Sequence, residues 1–317
     1  MFNSLYRWLQ PRFPGLADRL MDVTRPIRLR NAHPSRRDPR YFQKLFRQLA
    51  PYNFGALRLD EGLTFGETAT GRYMMRMTPG EMIETTIFAE KAWEPHVSRL
   101  AGMVLARTPG VVLDIGANIG ASTVPLAIQH LDCRFHCFEP HPLVFEKLKA
   151  NIGLNRLTNV RLMNSAVSDD PGGTLRFFAQ KNADNMGLSS LSLNPDIRDY
   201  DEILVGVVGV DRFLVDVPGR VVLMKIDTQG HEPRVLASAR ETIRRDRPVV
   251  IFEFEDEYFG SERDLRAAKD FVHDFFAEQG YLLYSIQAGV DFYPRMDIRS
   301  RYNGDILAVP ALGDAVT

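Results

Sequence analysis

The chain has little that would commit it to a membrane, a disulfide scaffold or a nucleic acid. No apolar run approaches the roughly 18 residues needed to cross a bilayer. The opening MFNSLYRWLQPRFPGL has no apolar core of the kind a secretion signal carries, and Pro11 and Pro14 limit any amphipathic helix there. Only two cysteines occur, Cys133 and Cys137. They fall on one predicted strand, cannot make a four-ligand zinc site without a second pair, and read as reduced thiols of a cytoplasmic protein. A net charge of −1 over 317 residues excludes bulk electrostatic attraction to nucleic acid. Repeats and low-complexity tracts are absent as well.

What is present is the balance of a folded domain, 45% hydrophobic and 25% charged, in a chain long enough to bury a large core. The charge is unevenly spread. Residues 1–50 carry eleven Lys and Arg against three Asp, roughly +8 on one arm. This basic arm reads most simply as solvated or docked on the acidic remainder. The sharper alternative is contact with an anionic partner, such as a phosphorylated or lipid-linked acceptor or a membrane surface. Residues 1–84 form an N-terminal accessory or cap segment, mostly helical, with a possible strand in GALRLDEGLTFGE. Residues 85–317 form the main domain, and ETTIFAEKAWEPHVSRLAGMVLAR near its start is helical but broken near Pro95.

From residue 111 onward strands and helices alternate. Strands are predicted at Val111–Ile115, Arg134–Glu139, Val160–Val167, Val221–Asp227 and Val249–Glu255, with helices after Gly120, Pro142 and Glu232. Val235, Leu236, Ala239 and Ile243 share a face of the third helix. Another helix starts at Ser261, with Asp264 three residues on and Leu265, Ala268, Val272, Phe275 and Phe276 as its apolar stripe. YLLYSI and DILAVP close the sheet. The fold class is α/β, a Rossmann-like, doubly wound and mainly parallel seven-stranded sheet. One crossover lacks a helix: between Val167 and Val221 a strand, a polar loop at 180–202 and another strand follow each other. A loop that long inside a domain is usually functional.

The stretch VVLDIGANIG at 111–120 is a strand running into a tight turn. In doubly wound sheets a ligand sits where the first strand meets its helix, with an acid about 20 residues on that holds ribose hydroxyls. Glu139 lies 19 residues after Gly120, so an adenosine-containing ligand is expected. A dinucleotide would place its pyrophosphate beside Asp114. At about 6 Å and an effective dielectric near 20 that repulsion is about 3 kcal/mol per charge pair. S-adenosylmethionine carries an ammonium and a sulfonium and no phosphate, so the aspartate favours it.

Three blocks in order, VVLDIGANIG, then NSAVSD at 164–169 with GLSSL at 187–191, then VVLMKIDTQGHEPRVL at 221–236 followed by RPVVIFEF, resemble the FkbM-type class I methyltransferases over about 85–310. The resemblance implies S-adenosylmethionine-dependent methylation of a hydroxyl on a sugar, glycan or natural product. It implies that Asp114, Gly116, Ala117, Asn118 and Gly120 line the methionine end of the cofactor, that Glu139 and Pro140 meet the ribose, and that Ser165 and Ala166 flank the adenine. Gln229 departs from the pattern, since an acid is usual there.

Proton removal from the acceptor needs a base at the ends of the fourth and fifth strands. Asp227 and His231 are the candidates, histidine because it titrates near neutrality. Lys225, Ser189, Ser190 and Glu253 are candidates for holding the acceptor. Glu253 and Glu255 share a strand face with reach to Asp227, an oxygen set that would suit magnesium. A solvated acidic strand end is the simpler reading, and no metal is expected. His141 could touch the adenine edge. Two other readings remain open: a NAD-dependent sugar-modifying oxidoreductase, disfavoured by the missing third glycine and by Asp114, and a non-catalytic scaffold or membrane-peripheral binding module.

Overall fold

A computed structural model of the chain describes residues 62–77, 81–170, 173–180, 191, 200–286 and 293–311. The basic arm and most of the loop at 180–202, including Ser189 and Ser190, lie outside the described residues.

The first elements are a hairpin of β1 (Gly62–Thr68) and β2 (Gly71–Met77), then α1 (Met82–Glu90) and α2 (Pro95–Arg107). The strand expected in GALRLDEGLTFGE is met by β1 in its second half, while β2 lies where helix was expected. The hairpin register pairs Gly66 with Tyr73, and the tyrosine ring fills the space that a side chain at 66 would need. The α1–α2 break falls just before Pro95, as expected. Pro95 lies in the first turn of α2, where its missing N–H removes no helical hydrogen bond.

The alternating region follows as β3 (Val111–Ile115), α3 (Thr123–Gln129), β4 (Arg134–Phe138), α4 (Pro142–Leu154) and β5 (Val160–Met163). The strand expected at 160–167 is split at Asn164 and Ser165. Its second half, β6 (Ala166–Val167), leaves the main sheet and joins β7 (Thr174–Gln180) and β8 (Tyr200–Val208) in a three-stranded sheet, order β6-β8-β7. A single turn, α5 (Val210–Phe213), leads to β9 (Val221–Ile226). The helix expected after Glu232 is two, α6 (Glu232–Ser238) and α7 (Arg240–Asp246), broken at Ala239, yet Val235, Leu236, Ala239 and Ile243 are all fully buried. The chain ends with β10 (Val249–Glu255), α8 (Glu262–Glu278), β11 (Tyr281–Ser285) and β12 (Asn303–Pro310). Ser261 caps α8 by accepting from the Asp264 amide at 3.1 Å.

The main sheet has seven strands in the order β11-β12-β10-β9-β3-β4-β5, parallel except for the pairs that β12 makes. Alternate residues enter two cores. Leu113, Ile115, Met224, Ile226, Phe252 and Ile306 face α6–α8, whereas Val112, Leu223, Ile251 and Leu307 face α2–α4 and the hairpin. The chain winds outward from β3 through β4 to β5, then returns to β9 on the other side. The order therefore reverses between β3 and β9, and the crevice at their carboxyl ends is the place where such sheets bind ligands.

Candidate active site

The glycine loop lies at that reversal. Gly116 has φ +81°, and a Cβ there would stand 1.8 Å from the carbonyl oxygen of Asp227. The amide of Asp227 in turn donates to the Ile115 carbonyl at 2.9 Å. The two strand ends are thus in backbone contact, and only glycine fits between them. The amides of Gly116 and Ala117 both donate to the Phe138 carbonyl, at 2.9 and 3.0 Å. Asn118 has φ +50° and accepts from the Ile119 amide through Oδ1. Gly120, φ +86°, lets the loop close on Leu148 of α4, whose Cδ1 would lie 2.8 Å from an added Cβ.

Parity then gathers charge. Asp114 pairs with Lys225 across β3 and β9, Lys225 with Ile251 across β9 and β10, and Glu253 with Asp305 across β10 and β12. Asp114, Lys225, Glu253 and Asp305 consequently share the sheet face that covers α2–α4, at its carboxyl end. Asp114 is buried; the Thr123 hydroxyl donates to its Oδ2, and Oδ1 has no hydrogen-bond partner among the described residues. Burial raises the Asp114 pKa even against Lys225 and Thr123. Lys225 donates to Asp227 Oδ2 at 3.1 Å. Burial alone would lower the lysine pKa, but Asp227, Glu94 and Asp114 outweigh it and hold the ammonium charged. Burial also pushes Asp227 up, and Lys225 with Gln229 more than offsets it, so Asp227 is ionised; its side chain remains 25% exposed. Gln229 Nε2 bridges Asp227 Oδ1 at 3.0 Å and Glu253 Oε2 at 2.9 Å, and the Tyr258 hydroxyl donates to the same Glu253 oxygen at 3.1 Å. Burial and the neighbouring Asp227 and Glu255 raise Glu253 well above the usual carboxylate range. Among the described residues no three His, Cys, Asp or Glu are arranged to hold a metal ion.

This glycine loop and the β9 turn fall inside residues 114–283, which match the family model described as the methyltransferase FkbM domain. The match spans more than half of the chain. The chain belongs to the FkbM methyltransferase family. Its curated relatives include the 31-O-demethyl-FK506 methyltransferase FkbM of Streptomyces tacrolimicus, 27% identical over 215 residues (58% of this chain and 75% of that protein). The 2-O-methyltransferase NoeI of Sinorhizobium fredii is 28% identical over 204 residues, 59% and 83% of the two chains. Among solved structures, the FkbM methyltransferase of Methylobacillus flagellatus shares 16% identity at a TM-score of 0.38, over 63% of this chain and 43% of that one. A SAM-dependent O-methyltransferase of Thermotoga maritima shares 10% at 0.39, over 78% and 77%. Those likenesses are shallow, and the fold assignment rests on strand order and register.

The FkbM-type loop is held by residues its sequence motif does not advertise. Each oxygen of Glu139 accepts one backbone N–H, Oε2 from Asn118 at 2.9 Å and Oε1 from His141 at 2.8 Å. Burial still raises its pKa to about 7. Asn164 Nδ2 donates to the carbonyls of Glu139 and Pro140, at 2.8 and 3.2 Å, and ties the acid's turn to the end of β5. Asn151, fully buried on α4, donates to the Ile119 carbonyl at 2.8 Å and accepts from the Arg76 amide at 2.8 Å. It joins the glycine loop to the hairpin. Ser165 is half-buried at the β5–β6 break, and Ala166 packs with Phe177, Ala179 and Val205 in the small sheet. His141 caps α4 through Nδ1, which accepts from the Leu143 amide at 3.2 Å.

His231 stands apart from the charged stripe. Its Nε2 lies 3.0 Å from the Ser168 hydroxyl, which donates in turn to Asp169, and Arg234 bridges to Asp169 at 3.0 Å. Burial, then Arg234, lowers the His231 pKa to about 4, so the ring is neutral at pH 7. Glu232 folds back to accept from the Thr228 amide and hydroxyl, both at 2.9 Å, and holds the β9 turn closed. Gln229 makes physical sense where an acid is usual: between two carboxyl groups an amide donates to both, while a carboxylate would repel the ionised Asp227 and donate to neither.

Proposed function

We propose that the chain binds S-adenosylmethionine at the β3–β9 crevice and transfers its methyl group to a hydroxyl oxygen of a sugar, glycan or natural product. The observation that carries this is Asp114: a buried carboxylate at the strand-order reversal with one oxygen, Oδ1, lacking a partner among the described residues. A buried acceptor left unpaired costs about 1–3 kcal/mol, a cost that a ligand ammonium removes. Phosphate would do the opposite, since Asp114, Asp227 and Glu94 crowd the same mouth. The residues thus fit a cationic, phosphate-free nucleoside and not a nicotinamide dinucleotide.

In this reading Asp114, Gly116, Ala117, Asn118 and Gly120 receive the methionine end. Glu139 accepts from the ribose hydroxyls through the lone pairs its two backbone donors leave free, with Pro140 beside it. Ser165 and Ala166 meet the adenine. The bound cofactor supplies an activated methyl group. The chain's own task is to orient the acceptor, exclude water and take its proton, and orientation alone contributes about 7–11 kcal/mol in favourable cases. Asp227, ionised and partly exposed, is the better candidate for that proton. His231, whose ring already meets Ser168, is the weaker one. Lys225 and Glu253 orient the acceptor, with Ser189 and Ser190 contributing from the long loop. The O-methyl specificity follows the two curated relatives, whose names place methyl groups on oxygen. The acidic mouth favours a neutral hydroxyl acceptor over one phosphorylated near the reacting oxygen.

The test is mass spectrometry of glycan and lipid extracts incubated with the protein and S-adenosylmethionine. A gain of one CH₂, about 14 Da, on a hydroxylated species supports the reading. No gain in any fraction, together with tight binding of a nicotinamide dinucleotide, would reverse it.

A further inference from the structure

Glu94 plays no part in the sequence motifs, yet the fold brings it over the charged stripe. It occupies the turn between α1 and α2 with φ +40° and ψ +60°, immediately before Pro95. A non-glycine residue seldom takes that conformation, and the residue before a proline is further restricted. Such strain persists where the surroundings over-determine it. Its Oε2 is buried without a hydrogen-bond partner among the described residues, as is Oδ1 of Asp114. The charged groups that face Glu94 come from four strands: Lys225 and Asp227 at the end of β9, Asp305 on β12, Asp114 on β3 and Glu253 on β10. His96, in the first turn of α2, lies 3.2 Å from Asp305. One lysine therefore stands among five carboxyl groups, Glu94 included, and Lys225 already gives a hydrogen bond to Asp227 at 3.1 Å. Two acceptors in this pocket, on Glu94 and Asp114, lack a donor among the described residues, and carboxyl groups outnumber cations there.

We propose that Glu94 is a cofactor-binding residue which, with Asp114, reads the positive charge of the methyl donor and so favours S-adenosylmethionine over the product S-adenosylhomocysteine. The inference rests on the cofactor reading above. The donor carries one positive charge more than the product, on sulfur. Both ligands share the nucleoside, the ammonium and the carboxylate, so shape cannot separate them and charge can. A carboxylate held within about 6 Å of the sulfonium, at an effective dielectric near 20, changes affinity by up to about a hundredfold, and by about tenfold where water screens it further. Once methyl transfer removes the sulfonium charge the same carboxylate no longer holds the ligand, and product leaves. Proton traffic follows the same logic. Burial, opposed by Lys225 and reinforced by Asp305, Asp227 and Asp114, pushes the Glu94 pKa to about 8. Burial thus favours a proton on Glu94 without ligand, and an incoming cation favours its loss.

The experiment is calorimetric titration of the full chain with S-adenosylmethionine and, separately, S-adenosylhomocysteine, near pH 7.5 in two buffers of different ionisation enthalpy. Wild type is expected to bind the donor more tightly and to release a proton with the donor only. Glu94→Gln is expected to lose about ten- to hundredfold in donor affinity and the proton release, with product affinity unchanged; that unchanged affinity also reports an intact fold. Glu94→Asp, which keeps the charge, is expected to retain most of the preference. Equal weakening toward both ligands, or an unchanged ratio, would overturn the proposal. If wild type binds neither ligand, the cofactor reading itself fails and the role of Glu94 falls with it.

Discussion

Replacing Gly116 with alanine tests the contact on which the whole crevice depends. The added methyl would lie 1.8 Å from the Asp227 carbonyl oxygen, and no real Cβ contact falls under 3.0 Å, so two backbones must part by at least 1.2 Å. They cannot part freely, because the Asp227 amide is hydrogen-bonded to Ile115 at 2.9 Å. Left-handed φ costs an alanine about 1–2 kcal/mol, and overpacking a tight site adds about 1–3 kcal/mol. The sum, about 2–5 kcal/mol, is a large part of a typical domain's stability. Gly120→Ala carries the same φ penalty but meets only side-chain ends, Leu148 Cδ1 at 2.8 Å and Val124 Cγ2 at 3.4 Å, which can give way, and should cost about half as much. Gly153→Ala, in α4 with nothing within 4 Å of the new methyl, should stabilise by up to about 1 kcal/mol. Denaturant midpoints of the three variants, with cofactor titration of each, check the order. If Gly116→Ala matches Gly120→Ala in stability, or binds cofactor like wild type, the close approach of β3 and β9 is not as described and the reasoning fails.

Three further outcomes follow from the same contacts. Asn151→Ala strands the Ile119 carbonyl and the Arg76 amide, a loss of about 1–3 kcal/mol for each group left unpaired, and should weaken cofactor binding because Ile119 belongs to the glycine loop; an unchanged denaturation midpoint would contradict it. Gln229→Glu removes the bridging donor and sets a carboxylate against the ionised Asp227, so its midpoint should fall well below wild type at pH 8 and recover toward it on acidification; equal stability at pH 8 would show that the bridging amide is dispensable. Burial raises Glu84, Glu139 and Glu232 from 4.5 to about 7. A carboxyl raised in the folded state gives stability that is complete below its unfolded pKa and lost as pH rises through the folded one. The ligand-free midpoint should therefore decline between about pH 4.5 and 7, and a flat profile there would argue against these buried acids.

The parallel sheet was legible because its strands are short apolar runs bounded by turns, and β3 and β10 fall on the residues expected. The turn at 116–120 was legible because positive φ demands glycine or asparagine. The hairpin was harder to read. In β1 the buried positions are Thr64 and Gly66, while Leu63 and Phe65 point outward, the reverse of the usual alternation. The helix after Glu232 kept its apolar face through the break at Ala239, so periodicity could not reveal that break. Parity placed Glu253 and Glu255 on one strand face with reach to Asp227. It could not foretell Glu94, Asn151 or Asn164, because these act through contacts between segments far apart in the chain. An asparagine that satisfies backbone groups looks the same in sequence as one facing water. His231 shows the converse, a residue whose chemistry suggested proton transfer and whose side chain meets Ser168.

The central claim is that a cationic nucleoside without phosphate occupies the mouth beside Asp114. Its most direct test is calorimetric titration of the wild-type chain and of Asp114→Asn with S-adenosylmethionine and with a nicotinamide dinucleotide. The account predicts saturable binding of S-adenosylmethionine to wild type, at least tenfold weaker binding to Asp114→Asn, and none of the dinucleotide by either. Dinucleotide binding that tightens when Asp114 loses its charge, with no heat from S-adenosylmethionine, would contradict it.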